Sequence, residues 1–150
     1  MAKLQTPKEI FESLARKGEY EEAHFDKNEI EKRLEMVLED YEFNKSLSKL
    51  ENPSWRVIFN AFYDVFRELG DILMNFKHQK ISNHQGLFAF IVLNFKDLKF
   101  DWEFLEKIRT VRNKNKYLGM DISKHMWKEV EMQFNLYISA LKKEIENKLE

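Results

Sequence analysis

The stretch from Trp55 to Phe76 carries the strongest structural pattern in the chain. Its successive apolar residues are separated by three, one, three, three, one, three, three, one and three positions. They are Trp55, Ile58, Phe59, Phe62, Val65, Phe66, Leu69, Ile72, Leu73 and Phe76. This spacing places side chains along one side of an α-helix and predicts a helix that begins after Asn52-Pro53. The opposite side is polar, so the wide apolar stripe needs more than one neighbouring element to cover it.

Two helices are predicted before this stretch. Thr6 followed by Pro7 marks a helix start, because proline at the first helical position gives up only an N–H that has no helical partner anyway. Gly18 is expected to end this short helix. Asp26 is expected to cap a second helix, in which apolar residues recur at helical spacing to about Leu50.

Three helices are predicted after the stretch. Ser82 is expected to cap a helix that continues to Phe95 and is apolar on nearly all sides, although a strand is also compatible with so short an apolar run. Asp101 is expected to cap the next helix, and Gly119 to end it. The last helix is expected to start near Ser123 and to continue almost to the end of the sequence.

Composition supports a helical domain and excludes several classes of protein. Only four glycines and two prolines occur among the 150 residues, which favours long helices over a many-stranded sheet. The absence of cysteine excludes a disulfide framework, a cysteine zinc site and a thiol nucleophile. The 25 basic and 26 acidic residues balance, which argues against a nucleic-acid binder that is basic overall but leaves room for a local patch.

Together these signals predict an all-α fold: an antiparallel up-and-down helical bundle of four long helices with short additions. Residues 1–25 are expected to form an N-terminal helical extension, and residues 26–150 the bundle. No apolar run reaches the ~20 residues that a membrane-spanning helix needs, and the N-terminus lacks the apolar core of a signal peptide. We therefore expect a cytoplasmic protein without a membrane partner.

The segment from Lys107 to Lys116 is strongly basic in a chain whose charges otherwise balance, since it holds five basic side chains and no acidic one. Helical geometry places Arg112 on the flank of an apolar stripe that ends at Val111, so its guanidinium is expected at the edge of a packed interface. Arg109 flanks the same stripe. An arginine held there presents a planar fork of donors that suits phosphate. The alternative is a solvated basic run that only complements the dipole of the helix end.

Two blocks of sequence carry a resemblance to a known family. The first, from Arg112 to Gly119, reads Arg-Asn-Lys-Asn-Lys-Tyr-Leu-Gly and stands just before the last predicted helix. The second runs from Trp55 to Leu69 and is followed by a turn at residues 80–86. They resemble, respectively, the signature segment and the central helix with its turn in the HEPN family (higher eukaryotes and prokaryotes nucleotide-binding domain), especially its small prokaryotic and archaeal members. The resemblance covers roughly residues 26–150.

The resemblance implies a homodimer whose two signature segments face each other across a cleft and act on RNA without a metal. It also implies a possible partner, a small nucleotidyltransferase for which such proteins often serve as the toxin. The family pattern is an arginine, a polar residue, and a histidine four to six residues after the arginine. Arg112 and Asn113 match the first two positions, whereas the third falls on Lys116, Tyr117 or Leu118, none of which is histidine.

Tyr117 therefore stands at the usual histidine position, beside Arg112 and Asn113 as candidate catalytic residues. Metal-independent cleavage of RNA needs a base of near-neutral pKa and a cation beside the developing negative charge. Arg112 can supply the cation. A tyrosine, whose reference pKa is ~10, is a poor base, although it can hydrogen-bond a phosphate or stack on a nucleobase. The candidate phosphate-binding residues are Arg109, Arg112, Lys114 and Lys116.

The remaining polar residues have simpler explanations. His78 and His84 are six positions apart, a spacing at which one helix cannot present both to a metal, and His84 is expected to make a local hydrogen bond. Asp64, Glu68 and Asp71 could line a site, but they stand beside Arg67 on a polar helix face and are expected to form ion pairs within the helix. There is no glycine-rich phosphate loop and no serine nucleophile motif. We therefore expect neither a metal nor a cofactor.

Three functions are compatible with these observations. The first, which we favour, is a dimeric binding module that holds RNA, a nucleotide or a nucleotidyltransferase partner at the basic segment around Arg112. The second is a metal-independent endoribonuclease, the toxin of a toxin–antitoxin pair, with Tyr117 in place of histidine. The third is a purely structural helical subunit whose basic segment is a solvated helix end.

Overall fold

The computed structural model of the protein describes residues 3–150, and over this range the chain is helical apart from one pairing of two short strands. The helices are α1 (Pro7–Arg16), α2 (Lys27–Leu47), α3 (Trp55–Asn75), α4 (His84–Asn94), α5 (Trp102–Leu118) and α6 (Lys124–Leu149). A 3₁₀ turn at Lys96–Leu98 lies between α4 and α5. The strands are β1 (Glu21–Glu22) and β2 (Gln79–Lys80). The predicted all-α class is confirmed: within the described range four helices are long, and α1 and α4 are short.

Helix α3 is the centre of the molecule, as its apolar stripe predicts. It packs against α2, α4, α5 and α6. Eight of the ten stripe residues are buried, and only Trp55 and Phe76, at the two ends, are half-buried. Ser54 caps the helix, because its side chain accepts the backbone N–H of Val57 at 3.3 Å.

Helices α2 and α6 cover one side of α3. Between them lies a cluster of aromatic rings in edge-to-face contact, in which Phe62 of α3 meets Trp127 of α6 with ring centroids 4.6 Å apart and Tyr41 of α2 with centroids 5.8 Å apart. The Tyr41 hydroxyl donates a hydrogen bond to the side chain of Asn135, which ties α2 to α6. Asp26 and Ser123 cap these two helices at the predicted positions.

Helix α4 is the most deeply enclosed element for its length, with every residue from Gly86 to Ile91 buried. The helical alternative for this apolar run is therefore confirmed over the strand. Helix α1 packs against α4, and the Tyr20 hydroxyl that follows α1 donates to the carbonyl of Gly86 at 2.7 Å. Because α4 also contacts α3 and α5, it fixes the position of its own first turn relative to both.

Two local features differ from the sequence prediction. The cap of α4 is Asn83, whose Oδ1 accepts the N–H of Gly86 at 2.9 Å, and not Ser82. Both residue types are good caps, so the pattern alone did not distinguish neighbouring positions. The pairing of β1 with β2 was not predicted, because strands of two exposed or half-buried polar residues carry no alternating pattern.

No helix among residues 3–150 combines the length and the apolar character that crossing a bilayer requires. The core is instead continuous through all the long helices, and it is built from aliphatic and aromatic side chains of α2 to α6.

Candidate functional site

The basic segment forms the second half of α5, and two of its five cations are neutralised within the protein. The ammonium group of Lys107 lies 3.3 Å from a carboxylate oxygen of Glu129 on α6. Arg109 donates two hydrogen bonds of 3.0 Å to the carboxylate of Glu106, one from Nε and one from Nη2. The positive character of this surface therefore rests on the remaining three residues of the segment, Arg112, Lys114 and Lys116.

Arg112 is buried, with a side chain only 9% exposed. Its guanidinium lies over the ring of Tyr63, 4.8 Å from the ring centroid, and its Nη2 is 4.0 Å from Oδ1 of the half-exposed Asp64. Among the described residues, no atom accepts a hydrogen bond from this guanidinium, whose nitrogens are not fully enclosed and reach solvent. A buried arginine without an acceptor is unusual, because charged side chains are buried almost only when paired.

Arg112 lies between two neighbouring cavities and lines both. The cavity of about 270 Å³, which we call the imidazole cavity, is lined by Ser82, Asn83, His84, Gln85, Arg109, Arg112, Asn113 and Tyr117. The cavity of about 340 Å³, which we call the carboxylate cavity, is lined by Arg56, Asn60, Asp64, Arg112, Asn115 and Lys116. Only the carboxylate cavity has an acidic residue in its lining. The imidazole cavity is therefore the better environment for an anion.

His84 is a site residue that the sequence interpretation missed. It is the first residue of α4, and its Nδ1 lies 3.1 Å from the hydroxyl of the fully buried Tyr63 on α3, so its hydrogen bond is not local. Burial, followed by the charges of Arg112 and other nearby cations, lowers the pKa of His84 to about 4. The imidazole is therefore neutral at physiological pH.

Glu106 is a second site residue that the sequence interpretation missed. It is 7% exposed and is satisfied by the two hydrogen bonds from Arg109 and by a third, of 3.0 Å, from the side-chain amide of Gln85. Because Gln85 belongs to α4 and Glu106 to α5, this carboxylate holds the first turn of α4 beside the basic segment. The spacing of Glu106 and Arg109, three positions on a helix, is a signal that could have found the pair.

The structure brings together some predicted site residues and separates others. Asn113 and Tyr117 line the imidazole cavity with Arg112, and Lys116 lines the carboxylate cavity. Tyr117 is 73% exposed, so its ring is available to a ligand. Lys114 is exposed and lines neither cavity. The roles of all these residues stay predictions.

The predicted ion pairs on α3 are present only in part. Arg67 binds Asp71 at 2.7 Å, as expected for positions four apart on a helix. Glu68 also pairs with Arg67, at 3.7 Å, whereas Asp64 does not and faces Arg112 of the neighbouring helix. Burial raises the pKa of Asp71 to about 6 in spite of the opposing effect of Arg67.

No group of three or more potential metal-ligating His, Asp or Glu side chains occurs within residues 3–150. Comparison of the chain with models of protein families, with curated proteins and with solved structures finds no match. The geometry around Arg112 is therefore the basis on which a function can be inferred.

Proposed function

We propose that this protein is a HEPN-like helical bundle that binds RNA through the basic segment of α5, with Arg112 as its main contact. The observation that carries the proposal is the side chain of Arg112, which is nine-tenths buried, has no hydrogen-bond acceptor among the described residues and borders two cavities. A phosphate group would supply the missing acceptors, because the fork of an arginine matches two phosphate oxygens at once.

The surroundings of Arg112 favour a phosphate over a carboxylate side chain of the protein itself. The nearest carboxylate, Asp64, stays 4.0 Å away and is half-exposed, while Glu106 is fully used by Arg109 and Gln85. Lys114 and Lys116 add exposed positive charge on the same turns of α5. These positive charges attract a polyanion such as RNA, and the attraction weakens as the salt concentration rises.

The test is RNA binding by the wild type and by Arg112→Ala at two salt concentrations. Arg112→Ala should weaken binding by about 1.5–3 kcal/mol, the range for a hydrogen bond to a charged group, with an unchanged melting temperature. Arg112→Lys should restore little, because a point charge cannot replace the two-pronged contact. Arg16→Ala, which removes one exposed arginine at the end of α1, is the matched control and should bind as the wild type does.

Three outcomes of this experiment separate the alternatives. Equal binding by the wild type and Arg112→Ala would favour the purely structural subunit. Loss of binding together with a large fall in melting temperature would make Arg112 a packing residue. The wild type could also fail to bind RNA and instead bind a free nucleotide, or a nucleotidyltransferase, at Arg112. That result would replace RNA with one of the other two expected ligands.

RNA cleavage is the second candidate function, because Tyr117 and the neutral imidazole of His84 both line a cavity with Arg112. Arg112 would supply the cation, and Tyr117 or His84 would have to accept the proton, a task for which the lowered pKa of His84 makes its imidazole a weak base. Incubation of a mixed RNA pool with the protein in EDTA tests this candidate. Cleavage that Arg112→Ala abolishes would support it, and comparison of Tyr117→Phe with His84→Ala would identify the acceptor.

A further inference from the structure

The first turn of α4 opens into the imidazole cavity beside Arg112. This helix has 11 residues, and its cap, Asn83, accepts the N–H of Gly86, while the N–H of Leu87 bonds to the carbonyl of Asn83. The backbone N–H groups of His84 and Gln85 come before these bonds and have no acceptor among the described residues. Both residues line the cavity. Two free donors therefore lie at the positive end of the helix dipole.

Arg112 supplies an independent reason to place an anion there. Its side chain is nine-tenths buried, belongs to a different helix and lacks an acceptor of its own. The lining of the imidazole cavity contains no acidic residue and five further polar residues with donor groups, Ser82, Asn83, Arg109, Asn113 and Tyr117. A helix N-terminus and a buried guanidinium that face one cavity without an internal anion form a pair that a phosphate can complete.

We propose that the first turn of α4 and Arg112 form one phosphate-binding site, in which the N–H groups of His84 and Gln85 and the guanidinium donate to the same phosphate group. This inference rests on the proposed function and adds to it a second helix and the cavity in which the phosphate lies. The carboxylate cavity on the other side of Arg112 is the less favourable position, because Asp64 borders it.

The hydrogen bond between Tyr63 and His84 favours the tautomer of His84 that can donate to a phosphate. Burial raises the pKa of the Tyr63 phenol, which therefore keeps its proton and can donate it to Nδ1 of His84. A neutral imidazole that accepts at Nδ1 carries its own proton on Nε2 and is a hydrogen-bond donor there. A bound anion prefers donors around it, so phosphate should select this tautomer.

The carboxylate of Glu106 does not pair with Arg112, because it is engaged by other side chains. It occupies the guanidinium of Arg109 and the side-chain amide of Gln85, and its own oxygens are turned to those two groups. The charge left for a ligand is that of Arg112 together with the helix dipole. A single phosphate group matches this charge better than a cluster of phosphates does.

The experiment is a titration of the ¹⁵N-labelled full chain with inorganic phosphate, followed by backbone and arginine-side-chain resonances. The amide resonances of His84 and Gln85 and the Nε resonance of Arg112 should shift together with one Kd. The first turn of α6 is the matched control, because Ser123 caps it in the same way and leaves the N–H groups of Lys124 and His125 without helical acceptors. Those two resonances should not move; equal shifts at both helices would overturn the proposal.

A pair of variants isolates the backbone donor. His84→Ala removes the imidazole but keeps the N–H, whereas His84→Pro removes both. Proline fits this first helical position, and the extended Asn83 before it, at φ −76° and ψ 119°, accepts a following proline. We expect His84→Pro to bind phosphate about five- to twenty-fold more weakly than His84→Ala, with equal melting temperatures. Equal affinities of the two variants would rule out this donor.

Two further titrations with RNA identify the source of the phosphate and distinguish failure of this inference from failure of the proposed function. Single-stranded RNA with hydroxyl ends and the same RNA with a 5′-phosphate distinguish an internal from a terminal phosphate, since either should shift His84 and Gln85 if it uses the site. RNA binding that depends on Arg112 but leaves both amides unmoved would overturn this inference and preserve the proposed function. RNA binding that does not depend on Arg112 would overturn the proposed function itself.

Discussion

Glu106 and Arg112 are the two buried charged residues of the described chain, and they differ in whether the protein supplies them with hydrogen-bond partners. The carboxylate of Glu106 receives three hydrogen bonds from neighbouring side chains, whereas the guanidinium of Arg112 has a tyrosine ring and a distant carboxylate. A satisfied buried charge contributes to structure, because its removal leaves partners unpaired. An unsatisfied one at a cavity is available for a ligand.

The first prediction follows from this contrast and concerns stability. Glu106→Gln should lower the free energy of unfolding by about 2–3 kcal/mol, because it leaves the half-buried guanidinium of Arg109 without its counter-charge. Urea denaturation measures the change. Glu35→Gln, at an exposed position of α2, is the matched control and should change stability by less than about 0.5 kcal/mol. A loss no larger than that of the control would show that Glu106 does not hold α4 and α5 together.

The second prediction concerns two groups whose proton affinities change in opposite directions on folding. The pKa of His84 falls from 6.5 to about 4, so between these values the unfolded chain holds a proton that the folded chain does not. Acidification therefore weakens the fold through His84. The pKa of Asp71 rises from 3.8 to about 6, so here the folded chain holds the extra proton, and acidification strengthens the fold.

Unfolding in urea at pH 7 and at pH 5 separates the two effects. Relative to the wild type, His84→Gln should gain stability on acidification, because only the Asp71 effect is left. Asp71→Asn should lose stability on acidification, because only the His84 effect is left. All other titrating groups are common to the three proteins and cancel in the comparison. Shifts of the same sign in both variants would contradict the assignment.

At the scale of elements, the sequence was informative wherever a helix buries one face. The stripe of α3, the caps Asp26, Asp101 and Ser123 and the end at Gly119 are all present, because helical spacing and capping are local properties. The pairing of β1 with β2 and the contact between His84 and Tyr63 were not predicted. Both depend on residues more than twenty positions apart, and nothing in a local pattern reports such contacts.

In the candidate site, too, the sequence predicted what depends on local spacing and missed what depends on contacts between distant residues. Arg112 was found from its place on the flank of an apolar stripe, and it lies where that reasoning put it, at the border of the packed interface between α5 and α3. The first turn of α4 was missed as a site, because only the packing of α4 against α5 brings it to the cavity. A single sequence therefore indicated one half of the site.

The third prediction compares two glycines inside helices. A Cβ added at Gly86 of α4 would lie 2.6 Å from Cδ1 of Ile81 and 2.7 Å from Cδ1 of Leu14, so Gly86→Ala should cost about 1–3 kcal/mol. A Cβ at Gly70 of α3 would meet Leu87 at 3.5 Å, an ordinary contact. Gly70→Ala should therefore stabilise the protein by up to about 1 kcal/mol, through the better helix propensity of alanine. Urea midpoints in the reverse order would refute this account of α4 packing.

At the scale of the whole molecule, a net charge of −1 coexists with a local cationic surface on α5. The overall balance predicts no general attraction to nucleic acid, so we expect salt-dependent binding to come from that local surface. The surface also borders exposed apolar side chains. Tyr117, Leu118 and Met120, at the end of α5 and just beyond it, are 73%, 72% and 49% exposed.

The last prediction is that this end of the molecule is where two copies associate. Three large apolar side chains within four residues, adjacent to the start of α6, form a patch that a monomer would leave in water. A two-fold interface there would cover the patch and bring the basic segments of two copies to one cleft, with an Arg112 from each. Sedimentation at tens of micromolar should therefore give the mass of a dimer.

Substitution distinguishes this interface from others. Leu118→Lys should shift the equilibrium to the monomer, because it places like charges opposite each other across the two-fold axis, and added salt should partly restore the dimer. Leu50→Lys, at a comparably exposed leucine between α2 and α3, should leave the dimer intact. A monomeric wild type would remove the reason for a shared cleft, and dissociation by Leu50→Lys alone would move the interface to the segment between α2 and α3. RNA affinity that falls with dilution of the wild type, and falls earlier for Leu118→Lys, would show that both copies of Arg112 contribute to binding.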